Sequence, residues 1–174
     1  MYDIAIIGAG IAGMEAATQL AKMGYDVIVV EKSEKTGGHV SDWDRLFPFQ
    51  RSAANLIADL QKEMEHGKMV KILTNTTVVD IHRDGQYFRI WLSDGQGVTV
   101  SAVLLTTGFK LFDAHRKEEY GYGVYNNVIT SAELERMFVS GKPIVTRNGE
   151  PPKRVAFIHC VGSRDEKLSN LPIS

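Results

Sequence analysis

The spacing of the first glycines constrains this chain most. Gly8-Ala9-Gly10-Ile11-Ala12-Gly13 lies between two stretches of different periodicity. Before it, residues 3–8 (DIAIIG) are a short apolar run rich in β-branched isoleucine, which predicts a buried parallel strand. After it, Ile11, Met14, Ala17, Leu20 and Ala21 recur at helical spacing over residues 11–23, and Gly24 stands where a helix stop belongs. Residues 26–31 (DVIVVE) predict a second buried strand. Strand, helix and strand within about 30 residues form a βαβ unit with a right-handed crossover. At such a junction this glycine spacing suits a dinucleotide. Gly8 permits the tight turn, Gly10 removes the Cβ that would meet a pyrophosphate, and Gly13 lets the helix pack close to the sheet. The amides of Ile11 and Ala12 then face the phosphates, and Glu31 is placed to accept hydrogen bonds from ribose hydroxyls.

A loop containing Gly37-Gly38 follows, over residues 32–44. Residues 49–67 predict a helix with Leu56, Ile57, Leu60 and Met64 on one stripe and Gly67 as its stop. Residues 69–73 predict a third strand. Asp84-Gly85 and Asp94-Gly95 separate strand-like runs over residues 76–101, a strong hairpin signal, so a three-stranded antiparallel meander is expected there. Residues 102–108 are expected to return to the main sheet. The fold class is therefore α/β, a Rossmann-like domain with a parallel sheet and a β-meander. Residues 131–138 predict a short helix with Ser131 as N-cap and no capping box. Residues 140–153 are rich in Gly and Pro and read as a linker. Residues 154–174 open with the apolar run Val155–Ile158, the expected first strand of a second nucleotide-binding-like unit that Val161–Ser174 is too short to complete. The sequence around Gly162 also lacks the fingerprint spacing. The expected domains are 1–139, a linker 140–153, and 154–174.

The fingerprint alone does not choose between NAD and FAD. Gly37-Gly38, the meander, and Thr106-Thr107-Gly108 at the end of the returning strand together argue for FAD. Formal net charge is −1, which gives no electrostatic reason to expect nucleic acid as a partner. No apolar run reaches the ~20 residues of a membrane span. The N-terminus has no basic region ahead of its first strand, so a cytoplasmic location is expected. Cys160, the one cysteine, has no second thiol to pair with and is expected to end the last strand as a small buried hydrophobe. His159 reads as a strand residue and His66 as a helix C-terminal residue. His82 and His115 lack ligand spacing. Tyr120, Tyr122 and Tyr125 read as loop packing or a partner surface, and Arg116–Glu119 as a solvated face. No residue shows a catalytic proton-transfer role, and no metal site is expected.

This arrangement resembles the flavoproteins with two dinucleotide-binding domains, the relatives of glutathione reductase. The resemblance implies that Val78 offers its backbone to the adenine, that Lys32, His39 and Val40 lie at the cofactor beside Glu31, Gly37 and Gly38, and that Thr107 and Gly108 lie near FAD, with Thr106 replacing the usual alanine. Over residues 103–167, "TTGFKLFDAHRKEEYGYGVYNNVITSAELERM" and "PKRVAFIHCVGSRDE" resemble the A subunit of heterodisulfide reductase and the related Qmo electron-transfer subunit. The cysteines which that family carries after the glycine pair and after "GSRDE" are absent here, so no iron–sulfur cluster and no redox dithiol is implied. The expected function is the FAD-binding portion of an electron-transfer oxidoreductase, with partner subunits or self-association. The alternatives are a non-catalytic nucleotide-binding module that docks to partners, and a plain NAD-binding domain.

Overall fold

The computed structural model describes residues 1–66 and 69–162. The chain divides into two compact units, and the first comprises residues 1–41 and 45–108. It contains β1 (Tyr2–Ile7), α1 (Ile11–Lys22), β2 (Val27–Val30), β3 (Arg45–Leu46), β4 (Arg51–Ser52), α2 (Ala53–His66), β5 (Val70–Leu73), β6 (Val78–Asp84), β7 (Tyr87–Leu92) and β8 (Gly97–Leu105). Six strands form one sheet in the order β5-β2-β1-β8-β7-β6. The pairings of β1 with β2 and β8, and of β2 with β5, are parallel. Those of β7 with β8 and β6 are antiparallel.

The first two strands read as continuous apolar runs because both of their faces are covered. Val27 and Val29 join Ile6, Met14 and Ala17 in one core with Ile57, Leu60 and Met64 of α2. Ile28 and Val30, offset by one residue, join Ala5 in a second core with Ile90, Leu92 and Val100. Each large apolar side chain buried in this way stabilises the fold by about 1.5–3 kcal/mol. β2 and β7 are not neighbours in the sheet, but Ala5 of β1 and Val100 of β8 lie between them, so the second core runs across four strands.

Two expectations are corrected within this unit. The meander and the returning strand are continuous. β8 pairs with β7 through Gly97 and Val100, and with β1 from Val100 to Leu105. No turn residue interrupts it, so one strand serves both halves of the sheet. The second helix starts at Ala53 and not at Phe49, because residues 45–52 first form the small β3–β4 hairpin. The Ser52 hydroxyl then accepts the Asn55 N–H at 3.3 Å, satisfying one amide of the first helical turn. The Gly67 stop lies outside the described residues.

The second unit comprises residues 42–44 and those from Phe109 onward. Two single 3₁₀ turns (Ala114–Arg116 and Glu118–Tyr120) precede α3 (Ser131–Val139). The N-cap of α3 is Thr130, not Ser131, and a capping box is present. Thr130 Oγ1 accepts the Glu133 N–H at 3.2 Å, and Glu133 Oε2 accepts the Thr130 N–H at 2.7 Å. Starting one residue earlier puts Glu133 at N3, where the carboxylate can reach back. Residues 154–159 form no strand. Val155, Phe157 and Ile158 are 65, 69 and 58% exposed. Their composition favours a strand, but a strand exists only where a neighbour supplies its ladder. Cys160 follows with a positive φ of 58° and is exposed, contrary to the expected burial. His159 is likewise exposed outside any strand.

Candidate functional site

The turn between β1 and α1 is held by backbone groups and by two side chains, those of Glu31 and Thr106. The Gly8 N–H donates to Val30 O at 2.8 Å, and the Gly8 carbonyl accepts the Thr106 hydroxyl at 2.8 Å. The Ala9 N–H donates to Glu31 Oε2 at 2.7 Å, and the Ala9 carbonyl accepts the Gly37 N–H at 2.8 Å. The Gly10 carbonyl accepts the Met14 N–H at 2.9 Å as the first bond of α1. Gly10 is the N-cap of α1 and provides no side-chain acceptor, and the first turn holds no acidic residue. The amides of Ile11, Ala12 and Gly13 are thus the donors this loop presents to a ligand.

The glycines divide by purpose. A Cβ on Gly13 would lie 2.0 Å from the Gly8 carbonyl oxygen, and one on Gly8 would lie 2.5 Å from that of Thr106. The protein itself therefore requires both. Gly10 differs: its φ is −70°, and a Cβ there would meet nothing within 4 Å. The backbone needs no glycine at this position, and the space beside it fits a ligand that approaches the chain closely. Residues 8–13 and Glu31 therefore fit a dinucleotide pyrophosphate and its ribose.

Glu31 is 6% exposed and held on both carboxylate oxygens. Ala9 N–H donates to Oε2, and Ser33 N–H donates to Oε1 at 2.8 Å. Its backbone is fixed as well, since Glu31 N–H donates to Leu73 O and Glu31 O accepts from Thr76 N–H. The glycine pair has a structural task beside any ligand contact. Gly37 bridges to Gly10, and its missing Cβ would sit 2.9 Å from Ile57 Cδ1. A Cβ on Gly38 would sit 3.2 Å from Gly10 Cα. Sequence reasoning missed these supports: Ser33, Ile57 and the buried Thr76.

The structure thus brings together Gly8, Gly10, Ile11, Ala12, Gly13, Glu31, Gly37, Gly38 and Thr106. His39 and Val40 lie in the short 3₁₀ segment Gly38–Asp42, and Val40 packs against the helix-side core. Lys32, Thr107 and Gly108 are exposed. Val78 begins β6, opposite Leu92, with its side chain against the second core.

In the second unit, the side chains of the tyrosine-rich loop form a polar cluster. Tyr122 O–H donates to Glu133 Oε1 at 3.2 Å, and its ring meets His115 edge-on with centroids 4.7 Å apart. The hydrogen bond with the His115 ring, 2.9 Å long, holds the Asp113 carboxyl below its ordinary range. Packing around Tyr122, with the Glu133 charge, pushes the phenol up. Glu133 is pushed up by its own partial burial, but the Thr130 N–H, the Thr130 hydroxyl and Tyr122 outweigh that and leave it lowered. His82 pairs with Asp80 at 2.7 Å. Among the described residues no group of three or more His, Cys, Asp or Glu could hold a metal, and no helix is long and apolar enough to cross a membrane.

Residues 6–69 match the family of NAD(P)-binding Rossmann-like domains. Among characterised proteins, the chain is similar to the A subunit of the ferredoxin/F(420)H(2)-dependent CoB-CoM heterodisulfide reductase of Methanosarcina acetivorans. Identity is 29% over 253 residues, covering 97% of this chain and 32% of that protein. It is also similar to the iron-sulfur A subunit of the CoB–CoM heterodisulfide reductase of Methanocaldococcus jannaschii, at 28% identity, covering 94% of this chain and 38% of that one. The chain thus spans about a third of the length of these relatives. The matched stretch of 253 residues exceeds this chain's whole length of 174, so the relatives carry residues within it that have no counterpart here. Among solved structures, thioredoxin reductase from Streptococcus pyogenes superposes with a TM-score of 0.58 at 26% identity, over 65% of this chain and 37% of that one. Thioredoxin reductase from Lactococcus lactis shares the fold, with a TM-score of 0.59 at 24% identity, over 70% of this chain and 41% of that one. The fingerprint geometry and these likenesses agree: residues 6–69 form a Rossmann-like domain of the NAD(P)-binding type, in a chain similar to the heterodisulfide reductase A subunits.

Proposed function

We propose that the chain binds FAD at Gly8–Gly13 and is the flavin-binding portion of an electron-transfer oxidoreductase. The observation that carries this reading is Gly10. It is a glycine without backbone need, beside open space, at the uncapped start of α1. A bound pyrophosphate makes sense of all three properties. In this reading the amides of Ile11 and Ala12 hold the pyrophosphate, and Glu31 accepts the ribose hydroxyls. Gly37, Gly38, His39 and Val40 follow the cofactor, Lys32 lies beside the ribose, and the Val78 backbone meets the adenine. Thr107 and Gly108, which follow Thr106, close the site beyond β8. FAD is favoured over NAD by the glycine pair, by the meander, and by the likeness to thioredoxin reductases. Bound FAD supplies the electron-transfer chemistry, and the protein supplies binding, orientation and electrostatics.

The relatives are named as subunits, which supports partner chains for this protein; a cytoplasmic setting belongs to the same proposal. A second reading, a flavin module that docks without turnover, is favoured by the exposed Val155, Phe157 and Ile158.

The absorption spectrum of the purified protein, with mass spectrometry of any released cofactor, tests the proposal. FAD is expected, and a colourless protein that retains NAD would overturn the flavin reading. Gly10→Val sharpens the test. Its Cβ meets no protein atom within 4 Å, so the variant should still fold, at a cost of about 1 kcal/mol for a branched apolar residue at an N-cap, and lose its flavin. A folded Gly10→Val protein with undiminished flavin would remove the pyrophosphate from this loop. Reduction of a dye by NADH or NADPH separates a catalytic chain from a docking module.

A further inference from the structure

The peptide unit joining Gly8 to Ala9 is pinned at both ends. Its N–H donates to the buried Glu31 carboxylate at 2.7 Å, and its carbonyl accepts the Thr106 hydroxyl at 2.8 Å. A peptide is a rigid plane, so two bonds on opposite sides fix its rotation. Nothing in Gly8 itself would do so, because that residue has a φ of 106° and no Cβ. The same Thr106 hydroxyl oxygen lies farther, 3.1 Å, from the Ile7 carbonyl, which already accepts the Thr106 N–H at 2.9 Å, so its one proton serves the nearer Gly8 carbonyl. Thr106 therefore ties the end of β8 to the last residue of β1 and to the first residue of the turn. It also fits against Gly13, where a Cβ would come within 2.8 Å of Thr106 Oγ1. An alanine at 106 would keep the backbone bond and lose the hydroxyl's hold on Gly8.

We infer that Thr106 is a positioning residue for the dinucleotide phosphates. Its hydroxyl sets the plane of the Gly8–Ala9 peptide, and that plane aims Gly10 and the first amides of α1. Glu31 fixes the other end of the same plane and also faces the ribose, so the two residues divide the work. Glu31 serves both ribose and phosphate, whereas Thr106 serves phosphate alone. This rests on the proposal that a dinucleotide binds at Gly8–Gly13.

The test compares three ligands on the full chain by calorimetry: FAD, ADP and adenosine. Thr106→Val keeps the shape of the side chain and removes its donor. It should weaken FAD and ADP by about tenfold, the scale of one lost hydrogen bond, and leave adenosine unchanged. Thr106→Ser restores the donor and should recover FAD and ADP binding. Thr106→Ala, which only removes atoms, carries the same comparison if the valine variant does not fold. A folded valine or alanine variant that binds FAD as the parent does overturns the inference, as does an adenosine affinity that falls in step with ADP. A parent chain that binds neither FAD nor ADP overturns the dinucleotide reading itself, and this inference with it.

Discussion

Glu31 is oriented before a ligand arrives. A buried carboxylate with both oxygens bonded to backbone N–H groups has a single orientation, and each oxygen keeps further acceptor capacity for a ribose hydroxyl. The amide of a glutamine cannot replace it. One oxygen can accept from Ala9 or from Ser33, but the NH₂ then faces the other backbone donor. Glu31→Gln should therefore leave one N–H unsatisfied in a site that is 6% exposed. That costs about 1–3 kcal/mol of stability, readable by chemical denaturation, and dinucleotide affinity should fall with it. A Glu31→Gln protein as stable as the parent would show that the two amides find other partners. Position 10 shows the opposite logic. There a Cβ would meet no protein atom within 4 Å, and a closely approaching ligand accounts for the glycine in the proposed reading.

At the level of elements, α3 shows what a capping box contributes. Thr130→Ala removes the acceptor of the Glu133 N–H and should cost about 1 kcal/mol, measured by thermal or denaturant unfolding. Glu133 adds a pH dependence of known sign. Its folded pKa lies below the ordinary 4.5, so its contribution is fully present above that value and is lost as pH falls through the lowered one. Glutamine at N3 preserves the box without a charge. The stability difference between parent and Glu133→Gln should therefore shrink on acidification below about pH 4.5, and a difference that stays constant into acid would rule this out. The box was legible as Thr130-Ser131-Ala132-Glu133, but only from the right starting residue, and the serine at 131 is an equally good cap by type. β1, α1 and β2 could be read directly because periodicity, turn glycines and length all agree there. The 154–159 segment could not. Its apolar residues satisfy strand propensity, but pairing is a property of a neighbour that local sequence does not contain. The supports of the site were hidden for the same reason. Ile57 beneath Gly37 and the Thr106 hydroxyl on Gly8 join residues far apart in the chain.

For the whole molecule, what matters is where the site's supports come from. Each hydrogen bond described around the fingerprint turn is made by Val30, Glu31, Gly37, Met14 or Thr106. All of these belong to the first unit, as do both hydrophobic cores and all six strands of the main sheet. The chain passes out of that unit after Gly108, a glycine with a φ of 70° and open space where a Cβ would point. A chain cut after Gly108 therefore retains each of these hydrogen-bonding groups. We expect residues 1–108 to unfold cooperatively in denaturant and to bind FAD within about tenfold of the full chain, a difference of about 1.4 kcal/mol. Leu104 and Leu105 are 38 and 66% exposed, so the shortened chain should be handled at low concentration and checked for association by light scattering. Cooperative unfolding without binding would show that the second unit contributes to the site. Loss of cooperative unfolding would show that the first unit draws stability from residues beyond 108.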